Sequence, residues 1–74
     1  MSALLETVRE NSHGIHDLHH FMFRMSVEEM TAVMRCSSDE LNHLLNLAEE
    51  ELSDRIVIHH EISAGYVHFS VTDR

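Results

Sequence analysis

The chain has 74 residues, 43% of them hydrophobic, and a net charge of −8 from thirteen acidic side chains against five basic ones. A chain of this length fits one small domain with a modest core, which argues against an independent enzyme with a walled substrate cleft. All five bases are arginine (Arg9, Arg24, Arg35, Arg55 and Arg74), so the cationic surface that nucleic acids and anionic membranes require is scarce.

Cys36 is the single cysteine, which excludes an intramolecular disulfide and suits a reducing, cytoplasmic compartment. Residues 1–12 carry acids and no long apolar run, so no signal peptide is expected. No stretch approaches the roughly 20 apolar residues of a membrane span, and no membrane association is expected.

In chain order, SALLETVREN suits a short helix over 2–11, capped by Ser2, with Leu4, Leu5 and Val8 as its apolar stripe. ENSHG supplies turn chemistry, and Gly14 opens a second expected helix over 15–24. Ile15, Leu18, Met22 and Met25 are spaced to share one face of it, with Phe21 and Phe23 flanking. Ser26-Val27-Glu28-Glu29 has the form of a capping box, with Met25 and Met30 at the staple positions, and predicts a helix over 27–35. Ser37-Ser38-Asp39-Glu40 repeats that pattern, with Cys36 and Leu41 as the staple, and predicts a longer helix over 38–52. Leu41, Leu44, Leu45, Ala48 and Leu52 form its core stripe. Asp39, His43, Asn46 and Glu50 lie opposite, and Leu47 falls off the stripe, which predicts partial exposure.

The period then changes to two. RIVIHHE and YVHFSV are β-branched and aromatic and read as a hairpin, strands about 55–62 and 66–72, around Ala64-Gly65. Two registers keep Ile56, Ile58, Ile62, Val67, Phe69 and Val71 on one face. With Ser63-Ala64-Gly65-Tyr66 as the turn, Ile62 faces Val67, His60 faces Phe69 and Ile58 faces Val71. A four-residue loop instead sets His59 opposite His68. In both, His60 lies on the apolar face, and Val57, His59, Glu61, His68 and Ser70 lie on the other.

Eight histidines, four of them in HGIHDLHH at 13–20, raise the question of metal binding. His16 and His20 are spaced i, i+4, a separation at which imidazoles can chelate a transition metal, with His13 and Asp17 beside them. No CxxC or HExxH accompanies them, and the expected role of His13, His16 and His20 is the wet side of a helix, with no cofactor bound. Eight histidines against a charge of −8 also mean that mild acidification brings the chain toward neutrality. Cys36 and His43 have the residue types of a nucleophile and base, but the staple position of Cys36 predicts burial as a small apolar residue. No glycine-rich phosphate loop is present, so no enzyme is expected.

SVEEMTAVMRCSSDELNHLLNLAEEEL followed by RIVIHHEISAGYVHFSV resembles the winged helix-turn-helix superfamily. The resemblance implies a small α+β domain over 1–74, three to four helices and then a C-terminal antiparallel hairpin. It makes 27–35 the first helix of the motif, 38–52 the recognition helix and the hairpin the wing. IHDLHHFMFRMSVEEMTAVM offers a second helix-turn-helix register, with Ser26 as cap. Winged helices serve as DNA readers and as protein docking modules. Here Glu49, Glu50, Glu51 and Asp54 would sit near phosphate, with only Arg35 and Arg55 to offset them.

The expected function is therefore a non-enzymatic regulatory or inhibitory module that binds a protein partner with a basic surface. The surface assigned is the outer face of 38–52, with Asp39, His43, Asn46, Leu47, Glu49 and Glu50. By analogy, small acidic chains of this kind look like phage or mobile-element inhibitors that act as DNA mimics in a host protein's nucleic-acid groove, as anti-CRISPR or polymerase inhibitors do. The alternatives are a winged-helix DNA-binding transcription regulator, dimeric through residues 1–24, and a histidine-based metal-binding module.

Overall fold

The computed structural model describes residues 3–13 and 19–73. Its elements run α1 (Ala3–Asn11), β1 (His20–Ser26), α2 (Val27–Met34), α3 (Ser38–Glu51), β2 (Ile56–Ser63) and β3 (Tyr66–Asp73). The strands form one antiparallel sheet in the order β1-β3-β2. The expectations for Ser2, Gly14, Ile15, His16, Asp17 and Leu18 lie outside the described residues.

The local chemistry accounts for most of these elements. The Ser26 hydroxyl accepts from the Glu29 amide at 3.1 Å and starts α2. Arg35 stops it in the left-handed region, φ 54°, and the Cys36 amide then returns to the Thr31 carbonyl at 3.1 Å. The Glu40 carboxylate receives the Ser37 amide at 3.4 Å and the Ser37 hydroxyl at 3.0 Å, closing the first turn of α3. Cys36 packs against the core from its staple position but is half-buried, short of the burial expected for it.

Residues 20–24 form strand and not helix. His20, Met22 and Arg24 are exposed, while Phe21 is buried and Phe23 and Met25 are half-buried, an alternation of period two. Helical spacing places Met22 on the core face; as a strand residue it is 71% exposed. The reason is tertiary. β1 lies along β3, with Phe21 opposite Val71, Phe23 opposite Phe69 and Met25 opposite Val67, which buries the aromatic side of the segment. Phe23 stacks on Phe69 at 4.9 Å between ring centroids and on Phe21 at 6.2 Å. The helix-turn-helix register that needed 15–24 as a helix is therefore not formed over 20–24.

β2 and β3 take the two-residue-turn register, with Ile62 opposite Val67, His60 opposite Phe69 and Ile58 opposite Val71. His59 consequently faces Ser70 and His68 faces Glu61, so the alternative pairing of His59 with His68 is not made. Ala64 and Gly65 both have positive φ, 52° and 80°, the sign that a mirror-image two-residue turn demands. The Gly65 carbonyl also accepts from the Val27 amide at 2.9 Å, tying this turn to the start of α2.

One face of the sheet is covered by the helices, a two-layer arrangement around one core. Leu4 and Val8 of α1, Met30 of α2, and Leu41 and Leu45 of α3 meet Phe21, Ile58, Val67, Phe69 and Val71 of the sheet. The apolar stripe of α1 is thus spent on the chain's own core. Thr7, the one buried polar residue among those described, donates its hydroxyl to the Ala3 carbonyl at 3.0 Å.

Candidate functional site

α3 offers the surface that sequence reasoning singled out. Asp39, Asn42, His43, Asn46, Leu47 and Glu50 are exposed along it. The helix contains no lysine or arginine. Leu47 is 48% exposed and shares a shallow concavity with Glu50 and Glu51. Leu47 is thus an exposed apolar side chain beside two carboxylates.

Glu49 belongs elsewhere. Its side chain is only 14% exposed, and its carboxylate accepts a hydrogen bond from Nδ1 of His60, whose side chain is 4% exposed. The Nε2 atom of the same ring lies 2.7 Å from Asn42 Oδ1. Two positions of α3, about two turns apart, thus grip one histidine of β2 and fix the helix on the sheet. A ring with both protons satisfies both acceptors at once. A neutral ring does so when Asn42 presents its amide nitrogen instead. The sequence placed His60 on the apolar face but gave it no partner. The signal was available as a histidine between Ile58 and Ile62, because a buried imidazole needs hydrogen-bonding partners.

The remaining histidines scatter. His20 is exposed on β1, with Nδ1 3.0 Å from the Thr72 hydroxyl, and His13 is exposed after α1. His16, the proposed companion of His20, lies outside the described residues. Because residue 20 is a strand residue, the i, i+4 helical geometry does not reach it. His19 Nδ1 is 3.9 Å from an Asp73 carboxylate oxygen. Among the described residues no group of three or more His, Cys, Asp or Glu side chains could hold a metal ion. Among them, too, no helix is long and apolar enough to cross a membrane.

The sheet face turned away from the helices carries Met22, Arg24, His59, Glu61, Tyr66 and His68. Arg24 lies over the Tyr66 ring, 4.5 Å from its centroid, so one of the few cations is occupied internally.

No protein-family model, curated protein or solved structure matches this chain.

Proposed function

We propose that this chain is a small non-enzymatic module of winged-helix type that binds a protein partner through the outer face of α3. The order α1-β1-α2-α3-β2-β3 supports the winged-helix reading, with α3 in the place of the recognition helix and β2–β3 as the wing. The observation that carries the function is Leu47. It stands 48% exposed beside Glu50 and Glu51, on a helix without lysine or arginine. Such a face repels phosphate and attracts a basic protein surface, including one that ordinarily holds nucleic acid. An inhibitor of phage or mobile-element type that fills such a groove is the concrete form of this reading.

The binding residues are Asp39, His43, Asn46, Leu47 and Glu50. Glu49 is a positioning residue, holding α3 through His60, and is not part of the contact face. The test is capture from host extract with the wild-type chain and with a Leu47→Arg/Glu50→Arg variant, followed by DNA competition. A partner retained by the wild type, lost by the variant and displaced by DNA is the expected result. Undiminished capture by the variant overturns the surface assignment. Salt-sensitive binding of the isolated wild-type chain to random DNA overturns it in favour of a DNA-binding regulator.

A further inference from the structure

Between α1 and the open end of the sheet lies a cleft of about 370 Å3. Its inner wall is apolar: Val8, Phe21 and Val71 are buried there, and Leu5 and Ile56 are half-buried. Its rim is charged. Arg9, near the end of α1, and Arg55, just before β2, both line it and are exposed.

These two arginines have no side-chain hydrogen bond or ion pair with any described residue. Asp73 is on the same rim, yet its carboxylate is directed to His19 at 3.9 Å, and its amide to the His19 carbonyl at 2.8 Å. Elsewhere Arg24 is engaged with Tyr66. Two exposed guanidiniums without a described protein partner thus stand at the mouth of one apolar cleft. A guanidinium is a planar fork that matches a carboxylate in two parallel hydrogen bonds. A cleft with an apolar wall and a few convergent polar groups, in this size range, is the usual form of a small-molecule site.

We propose that this cleft binds a small organic monoanion, a carboxylate with an aliphatic body of up to about eight carbons. The head pairs with Arg9 and Arg55, and the body lies against Val8, Phe21, Ile56 and Val71. The wall is mostly branched aliphatic, which suits an alkyl chain. The Asp73 charge on the rim penalises a doubly charged head, so a carboxylate is preferred to a phosphate. None of these residues belongs to the α3 face. Partner capture and ligand binding therefore succeed or fail separately.

The experiment is an amide-shift NMR titration of the whole chain with sodium octanoate. Acetate, octyl phosphate and octyltrimethylammonium serve as the comparison ligands. The expected result is saturable shifts at Val8, Phe21, Ile56 and Val71 with octanoate and weaker binding of octyl phosphate. Acetate, which lacks the tail, and the cationic amphiphile, which lacks the anion, leave these amides unmoved. Arg9→Gln/Arg55→Gln weakens octanoate at least about tenfold, and Arg9→Lys/Arg55→Lys, which keeps the charge but loses the fork, falls between that variant and the wild type. Both arginines are exposed, so the variants are expected to keep the wild-type amide dispersion; the single Gln variants carry the test if the double one does not. Absence of saturable shifts overturns the proposal. So do equal shifts with octyltrimethylammonium, or unchanged affinity in the Gln variants. Occupation of the cleft by an acidic apolar peptide, with octanoate unable to bind, also overturns it and moves the site to a protein partner.

Discussion

His60 and Glu49 are joined across the α3–β2 junction, with His60 Nδ1 donating to the Glu49 carboxylate while Asn42 holds the opposite ring nitrogen at 2.7 Å. This three-residue cluster sets where α3, and hence the proposed contact face, stands relative to the sheet. Glu49→Ala leaves a nearly buried imidazole without its anionic partner and is expected to destabilise the fold by about 2 kcal/mol. Asn42→Ala removes a neutral contact and should cost about 1 kcal/mol. Urea denaturation of the two single variants and the His60→Ala background checks this. If the Glu49 effect persists undiminished in the His60→Ala background, the coupling does not exist.

The β2–β3 turn stores backbone strain at a non-glycine residue. Ala64 has φ 52°, where a Cβ costs roughly 1–2 kcal/mol. Ala64→Asn, which tolerates this region, is expected to raise stability by about 0.5–1 kcal/mol. Gly65→Ala goes the other way. A Cβ there meets nothing within 4 Å, so the whole penalty comes from its φ of 80°. Thermal melts of the two variants should shift in opposite directions, and a shared direction contradicts the turn geometry.

Arg35 is the second described non-glycine residue with positive φ, at the end of α2. Arg35→Gly relieves the left-handed strain at the usual position for a glycine stop and should stabilise by about 0.5–1 kcal/mol. At the other end of the same helix, Ser26→Ala removes the acceptor of the Glu29 amide and should cost about 1 kcal/mol. Denaturant midpoints resolve both effects, and equal midpoints for Ser26→Ala and wild type would exclude a contribution from the cap.

Phe69 binds the layers together. It is 1% exposed, stacks on Phe23 at 4.9 Å, and sits opposite both Phe23 and His60 in the sheet. Phe69→Ala is expected to cost about 3–5 kcal/mol, a large part of the stability of so small a domain. Met22→Ala, in β1 but 71% exposed, should change stability by no more than about 0.5 kcal/mol. A large loss with Met22→Ala would return residues 20–24 to the helical arrangement in which Met22 faces the core.

The sequence by itself determined the elements whose signals are local. Serine caps followed by glutamate started α2 and α3, because capping satisfies amides within one turn of chain. The β-branched run around Ala64-Gly65 specified β2, β3 and their shared apolar face, because side chains in a strand alternate sides whatever the partner. The exposure of Leu47 followed from its place on the α3 wheel. Tertiary structure decided the rest. HFMFRMS fits a helical stripe through Met22 and Met25 and equally an alternation through Phe21, Phe23 and Met25. Only β3, presenting Val71, Phe69 and Val67 in matching order, selects the strand. Glu49 reads as one more acid in a run of three, and becomes a positioning residue only because β2 brings His60 against it. The arginines at positions 9 and 55 share a cleft for the same reason: the sheet returns the chain to α1, a long-range closure that no local pattern encodes.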